Sequence, residues 1–176
     1  MENDEQMTMD LGVEIHVDEK LVQQRQAWTA WIAPERMKSQ IRKFLTETLP
    51  DVHPERSPCP WWERPLLSRI EEAADTVFLD KLAILSPENF DTVDQYARFL
   101  GDYFVRQAGA QWFDAPASSA PIYEAIGPSL RFDYTDDVFS VLYLVQWAIE
   151  EGCSDVTMEA HSMGLDWTDW KTHSRP

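Results

Sequence analysis

The sequence holds little of what catalytic and nucleotide-binding motifs require. It has six glycines in 176 residues, and no two of them form the GxGxxG or GxxxxGK[ST] loops that cradle phosphates. Its two cysteines, Cys59 and Cys153, belong to no CxxC pair, which excludes a zinc ribbon and a disulfide framework. The four histidines form no HExxH pair, and no GxSxG elbow is present. We therefore predict no metal, no cofactor and no catalytic residues.

Positive charge is also scarce. Fifteen Lys and Arg residues face 31 Asp and Glu residues, for a formal net charge of −16. A nucleic-acid partner would require a basic patch, and an anionic membrane surface would repel this chain. The acidity is concentrated in residues 1–20 and 114–176. It fits a basic protein partner, or it serves only to keep the protein in solution.

No long hydrophobic run is present. The apolar stretch from Val138 to Ile149 is too short to span a bilayer, which needs about 20 residues. The first ten residues have neither the positive nor the apolar region of a secretory signal, so we predict a cytoplasmic protein. With 44% hydrophobic residues the chain is rich enough for a core. We predict a flexible acidic tail at 1–10 and a single globular domain at 11–176.

The most apolar segment, residues 135–152, predicts a buried helix. Thr135 suits the N-cap and Gly152 the position just past the end. A buried strand pair is the competing interpretation, because Val, Phe and Tyr favour strands. Two apolar stripes recur at helical spacing, one made of Val138, Val141, Leu142, Val145, Ala148 and Ile149, and the other of Phe139, Tyr143 and Trp147.

The remaining elements follow from hydrophobic spacing. Five prolines make residues 50–65 irregular, and a strand or loop is expected after Gly152. Helices are predicted at 19–32, 34–49, 66–85 and 92–108, and short strands at 11–17, 110–113, 121–126 and 129–134. The clearest inward faces are Met37, Ile41, Phe44, Leu45 and Leu49, and Val93, Tyr96, Ala97, Leu100, Tyr103 and Phe104. This order predicts an α+β fold, in which several helices pack with a small antiparallel sheet of short strands.

Eight tryptophans are an unusual number for this length. Four lie in patterned stretches and are predicted to be core residues: Trp28, Trp31, Trp112 and Trp147. The other four, Trp61, Trp62, Trp167 and Trp170, lie in irregular or polar stretches, where exposed tryptophan indicates a protein interface. Adjacent residues in an irregular segment do not readily both point inward, so we expect one of Trp61 and Trp62 to be anchored and the other exposed.

Two further groups were considered as sites of chemistry. Asp133, Asp136 and Asp137 form a cluster that can in principle hold magnesium or calcium, but helix capping explains the last two better. Cys153 follows a predicted helix end, where the negative pole of the helix raises a thiol pKa. A structural role for this cysteine is therefore expected.

Three tracts stand out as a set: LGVEIHVDEKLV near the start, GDYFVRQAGAQWFDAP in the middle and SLRFDYTDDVFSVLYLV after it. Through them, and through its length, the chain resembles small bacterial immunity proteins. In particular it is similar to immunity factors that neutralise NAD-cleaving toxins of the tuberculosis necrotizing type. The resemblance implies an antitoxin that binds and covers the active site of a cognate NAD glycohydrolase and catalyses nothing itself.

The residues agree with that expectation. A toxin that binds NAD phosphates needs a basic cleft, and an acidic inhibitor would be steered to it. The expected contacts are Trp61, Trp62 and Glu63 in the proline-rich segment and the acidic group Asp133, Asp136 and Asp137. Two alternatives stay open: a small hydrolase or transferase whose Asp, Glu and His residues are assembled only by the fold, and an adaptor subunit of a larger complex.

Overall fold

The computed structural model describes residues 18–49, 51–78, 80–118 and 120–174. They form six α-helices and a three-stranded antiparallel sheet, which confirms the predicted α+β fold. The predicted tail at 1–10 and strand at 11–17 lie outside the described residues. The helices are α1 (Glu19–Ile32), α2 (Pro34–Lys43), α3 (Leu66–Ala74), α4 (Phe90–Ala108), α5 (Val141–Glu151) and α6 (Cys153–His173), and the strands are β1 (Gln111–Asp114), β2 (Pro128–Arg131) and β3 (Val138–Ser140).

The first two helices begin where their capping residues predict. The Asp18 carboxylate accepts a hydrogen bond from the Lys20 backbone N–H at 3.0 Å. Pro34 opens α2, where its fixed φ fits and its missing N–H costs nothing. A π-helical turn, Phe44–Thr48, prolongs α2. All five residues predicted to point inward from this segment are buried.

Helix α4 is the centre of the fold and packs against α2, α5 and α6. All six of its predicted inward residues are buried. Gly109 ends the helix with φ of 65°, in the left-handed region that glycine adopts without a Cβ penalty. The sequence pattern therefore predicted the buried face and the end of this helix correctly, although the helix was not predicted to be the central element.

The sheet is small and antiparallel, in the order β1-β2-β3. Gln111 pairs with Arg131, and Ser129 pairs with Ser140. The strands predicted near 110–113 and 129–134 are confirmed, although the second ends at Arg131. The strand predicted at 121–126 is wrong, because that segment turns at once: the Tyr123 N–H donates to the Ala120 carbonyl at 2.7 Å.

The helix predicted from Thr135 begins instead at Val141, with Ser140 at its N-cap. The Thr135 hydroxyl donates to the Asp137 carboxylate at 2.7 Å, which closes a local turn that competes with helix formation. Val138 and Phe139 then pair with β2 as a strand, as β-branched and aromatic residues favour. The competing strand interpretation therefore holds for three residues, and Gly152 follows the helix end as predicted.

Residues after Gly152 form the longest helix, α6, so the predicted strand or loop is wrong. The prediction relied on large apolar residues such as Met158 and Leu165, and both are exposed. The face that α6 buries is made mostly of smaller residues at helical spacing: Cys153, Val156, Thr157, Ala160 and Met163.

The helix predicted at 66–85 is also shorter than expected. It ends at Ala74, and a 3₁₀ turn at Lys81–Leu85 follows an irregular link. The Asp80 carboxylate starts that turn by accepting from the Leu82 N–H at 2.8 Å. Leu82 and Leu85 consequently lie on the surface, with Leu82 63% exposed. Among the described residues, no helix combines the length and apolarity that crossing a membrane requires.

Candidate functional site

The proline-rich segment 51–65 forms one wall of a large groove. Helix α2 forms the floor and one rim, and α4 contributes residues to the wall beside the proline-rich segment. The groove has a volume of about 1080 Å³, at the upper end of the range for small-molecule sites. Its lining is mainly apolar: Ile32, Pro34, Met37, Ile41, Leu45, Val52, Pro54, Trp61, Trp62, Val105 and Trp112, with Lys38, Arg42, Thr46, His53, Glu55, Asp102 and Arg106 as its polar members.

Trp61 and Trp62 are both half-buried, so the expectation of one anchored and one exposed ring is wrong. Trp61 packs against Phe99, with ring centroids 5.1 Å apart, and Trp62 meets Trp61 edge to face at 5.4 Å. The Arg106 guanidinium lies 4.3 Å from the Trp62 ring centroid and is paired with Asp102 at 2.6 Å. Because of these contacts, the adjacent rings of Trp61 and Trp62 both lie on the same wall of the groove.

Glu63 lies beside this wall but does not line the groove. Its side chain is exposed, and its backbone carbonyl contributes a hydrogen bond to the fold. The Glu63 carbonyl accepts from the Leu67 N–H at 2.9 Å, which supports the first turn of α3.

The second candidate surface is formed by the acidic loop between β2 and β3 together with α5. Asp133, Asp136 and Asp137 are all exposed, and Asp133 accepts a hydrogen bond from the Gln111 side chain at 2.7 Å. Since α5 begins at Val141, the last two aspartates cap no helix, contrary to expectation. Their carboxylates therefore add negative charge to the surface.

Aromatic rings continue this surface along β3 and α5. Phe139, Tyr143 and Trp147 follow one another with ring centroids 6.4 and 6.1 Å apart. The predicted second stripe is therefore confirmed for Tyr143 and Trp147 on α5, whereas Phe139 lies in β3 and not in the helix. Tyr143 is 51% exposed and Val138 55%. We call Asp136, Asp137, Val138, Tyr143 and Trp147 the acidic aromatic face.

A small apolar pocket of about 220 Å³ adjoins Tyr143. Leu85 and Leu142 line it, together with residues of the segment 120–122. This face therefore combines an exposed ring and an apolar pocket with the exposed aspartates of the preceding turn.

The six predicted contact residues therefore divide between two surfaces. Trp61, Trp62 and Glu63 lie at the groove, and Asp133, Asp136 and Asp137 lie at or beside the acidic aromatic face. Sequence reasoning missed Tyr143 as an exposed ring, Leu85 as a pocket residue and Arg42 as a groove residue. The concentration of four bases within α2 was the available signal for the last of these.

The tryptophans predicted to be core residues are only partly confirmed. Trp31 is buried, whereas Trp28, Trp112 and Trp147 are half-buried and pack against the core. Of the tryptophans considered for an interface, Trp167 is half-buried beneath Lys171, whose Nζ lies 3.4 Å from its ring centroid. Trp170 is exposed and meets the Tyr134 ring at 6.4 Å.

A buried polar network lies behind the groove, where its Trp31 packs against the groove residue Trp112 at 5.2 Å between ring centroids. Arg98 is fully buried and binds the Asp94 carboxylate at 2.7 Å and the Trp31 carbonyl at 2.7 Å. Asp94 also accepts from the Trp31 indole at 2.8 Å and from the Tyr123 hydroxyl at 2.9 Å. Burial, with the nearby Asp94 charge, raises the pKa of Tyr123 well above its usual value. This cluster joins α1, α4 and the segment around Tyr123.

Cys153 follows the end of α5 at Glu151, as predicted, and it is also the first residue of α6. Its backbone N–H donates to Asp75 at 2.7 Å. Burial is the largest cause that raises the pKa of its thiol to about 12. The expected direction of the shift is confirmed.

No group of three or more His, Cys, Asp or Glu residues suited to a metal ion occurs in the part of the chain that the structure describes. Comparison with known proteins finds no matching family model, no matching curated protein and no matching solved structure.

Proposed function

We propose that this protein is an immunity-type inhibitor, which binds a basic partner protein through the acidic aromatic face and covers that partner's active site. The observation that carries the proposal is the exposure of Tyr143 beside an apolar pocket. It lies in the segment that follows the exposed carboxylates of Asp136 and Asp137, for which no cationic partner occurs among the described residues. The sequence resemblance to immunity factors supplies the class of partner, a toxin that cleaves NAD.

Charge accounts for the approach of the two proteins. The chain carries −16, and Asp136 and Asp137 stand next to each other on the exposed turn before β3. A cleft that binds NAD phosphates is positive, so the two fields attract and raise the association rate at low salt. Salt at physiological strength screens charges beyond about 8 Å and reduces this gain.

The aromatic rings account for the slow release. A tyrosine has few rotatable bonds to order and a large area to bury, so it is a typical hot spot. Tyr143 already rests between Phe139 and Trp147, which limits the entropy it loses on binding. The pocket beside it can receive a side chain of the partner.

The experiment pairs this protein with the product of the neighbouring reading frame and measures NAD hydrolysis by that product. We expect full inhibition at one inhibitor per toxin. Tyr143→Ala should raise the dissociation rate by roughly 30-fold, the equivalent of about 2 kcal/mol for a hot-spot residue. The double variant Asp136→Asn with Asp137→Asn should lower the association rate at low salt by about tenfold.

The matched control removes two charges elsewhere. Glu72 and Glu88 are exposed on α3 and on the 3₁₀ turn before α4, so Glu72→Gln with Glu88→Gln changes the net charge equally without touching the face. An equal loss of association rate in this control would show that net charge alone acts and would reject the face. NAD hydrolysis by this chain alone would reject the inhibitor proposal in favour of an enzyme.

A further inference from the structure

The groove is elongated along α2, and the proposed inhibitor does not use this surface to bind its partner. Along α2 and its π-helical extension, Pro34, Met37, Ile41 and Leu45 form an apolar stripe that lines the groove. From residue 34 to residue 46 this floor is about 18 Å long at a rise of 1.5 Å per residue. A linear apolar group fits such a trough better than a compact one does.

A polar stripe runs parallel to the apolar one. Lys38, Arg42 and Thr46 recur four residues apart, so they share one side of the helix and form a rim of the groove. Lys38 and Arg42 are exposed, and neither has an ion-pair partner among the described residues. Like charges at this spacing destabilise a helix, and a bound anion would relieve that repulsion.

The charged groups elsewhere in the lining already have partners. Arg106 is paired with Asp102 at 2.6 Å and lies over Trp62. Glu55 lies 3.5 Å from His53 and 3.7 Å from Arg56. The available positive charge of the groove is therefore concentrated at the α2 rim, in a molecule whose net charge is −16.

From this geometry we propose that the groove binds an anionic amphiphile with a single linear acyl chain, of the fatty-acid class. The chain lies along the apolar stripe of α2, covered by the Trp61, Trp62 and Trp112 side of the groove. The carboxylate is held by Arg42 and Lys38. Arg42 offers a planar fork for two parallel hydrogen bonds to a carboxylate, and Lys38 one helical turn away adds a second positive charge.

This inference stands apart from the proposed function, because it concerns the isolated chain and a different surface. The experiment titrates the full chain with laurate, dodecyltrimethylammonium and dodecanol, each below its micelle concentration. The three probes share one chain length and differ in headgroup charge. Calorimetry and the fluorescence of the groove tryptophans report binding.

We expect laurate to bind at least tenfold more tightly than the cationic probe, with dodecanol between them. Arg42→Gln should weaken laurate binding by about tenfold, the value of a charged hydrogen bond, and leave dodecanol unchanged. Arg36→Gln is the matched control, since Arg36 is exposed on α2 but does not line the groove, and it should change laurate binding by less than twofold. Trp62→Ala should weaken the binding of all three probes.

Three results would overturn the proposal. The first is a failure of laurate to bind to the folded chain. The second is an equal loss of laurate binding in Arg36→Gln and Arg42→Gln, which would show attraction by the positive charge of the helix in general. The third is laurate binding that is no tighter than binding of the cationic probe, which would point to a groove for an apolar protein segment and not for a fatty acid.

Discussion

At the scale of single residues, Cys153 shows two effects that oppose each other. A first helical position favours a thiolate by about 0.3–1 kcal/mol, which is less than one pKa unit. Burial acts in the other direction, and the negative charges of Asp75 and Glu71 add to it against a hydrogen bond with Tyr96. The result is a pKa of about 12, so burial dominates and the thiol stays protonated at neutral pH.

Thiol labelling tests this conclusion directly. Cys59 is half-buried in the proline-rich segment, and Cys153 is fully buried. With a disulfide reagent at neutral pH, we expect one reactive thiol per native chain and two in denaturant. Cys59→Ser should abolish the native reaction, and its persistence would show that Cys153 is accessible.

Single residues also mark a limit of prediction from sequence. The spacing of apolar residues identified the inward face of α4, but Arg98 on that helix was not expected to be buried. A charged residue in an amphipathic pattern is ordinarily assigned to solvent. Only the fold shows that Asp94, one turn earlier, and the Trp31 carbonyl bind it, while its Nη2 has no hydrogen-bond partner among the described residues.

At the scale of elements, the tightest helix contact is between α4 and α6. A Cβ placed on Gly164 would lie 2.4 Å from the Gln107 carbonyl oxygen, so only glycine lets the two backbones approach this closely. The same small-residue face explains why the sequence did not predict α6. Each of the small residues on this face, Thr157, Ala160 and Gly164, buries little apolar surface. A prediction based on the spacing of large apolar residues therefore does not detect this face.

We expect Gly164→Ala to lower the free energy of unfolding by about 1 kcal/mol in net, because overpacking costs about 2 kcal/mol and the gain in helix propensity offsets part of it. Helix propensity acts in the opposite direction by about 1 kcal/mol, so the sign of the change shows which effect is larger. Urea denaturation of the two proteins measures it.

Ser162→Ala is the control for this prediction, because Ser162 is exposed in the same helix. It should leave stability unchanged or raise it slightly through propensity alone. A Gly164→Ala protein as stable as this control would contradict the close contact.

The segment 135–152 shows what decides an element when patterns conflict. Its composition allowed a helix or a strand, and its capping residues favoured a helix from Thr135. The hydrogen bonds of Thr135 with Asp137 and the pairing of Val138 with Arg131 decide for a turn and a strand. The second of these joins two separate strands, and the spacing of residues within one element does not show such a contact.

At the scale of the whole molecule, charge and tyrosine burial set the response to pH. Burial raises the pKa of Tyr103 and of Tyr134 to about 12, and it raises those of Tyr96 and Tyr123 well above the usual value. The unfolded chain releases these protons near pH 10. The folded protein keeps them to higher pH, so the folded state binds more protons above pH 10.

We therefore expect the tyrosines to make a stability contribution that is complete below about pH 10 and is lost as pH rises toward about 12. Cys153 adds a loss of the same sign that begins near the unfolded thiol pKa of about 8.5. Thermal unfolding followed by circular dichroism from pH 8 upward should show the midpoint falling steeply above pH 10. Absorbance of the phenolate should rise together with unfolding.

Tyr103→Phe is the matched variant, since no hydrogen bond of the Tyr103 hydroxyl occurs within the described part of the chain. It should reduce the slope of stability against pH without a large change at neutral pH. An unchanged slope would show that ionisation of Tyr103 does not contribute to the loss of stability.

The whole molecule also shows which properties can be predicted from composition and from the order of the elements. The net charge and its concentration in two regions are properties of the sequence, and the α+β class followed from the order of its elements. The basic rim at α2 was visible as four bases in one helix. Its position beside Trp61 and Trp62 was not, because the proline-rich segment reaches the groove through contacts with Phe99 and Arg106.

The order of the elements has a consequence for synthesis. Helix α6 packs on α3, α4 and α5, and it comes later in the chain than all three. The ribosome adds residues at about 5–20 per second. Until α6 has been synthesised, the side of α4 that α6 buries stays exposed to solvent. A nascent chain of this protein is therefore exposed to chaperones and proteases until α6 has emerged, and a message cut short before Gly152 yields a chain with an open core.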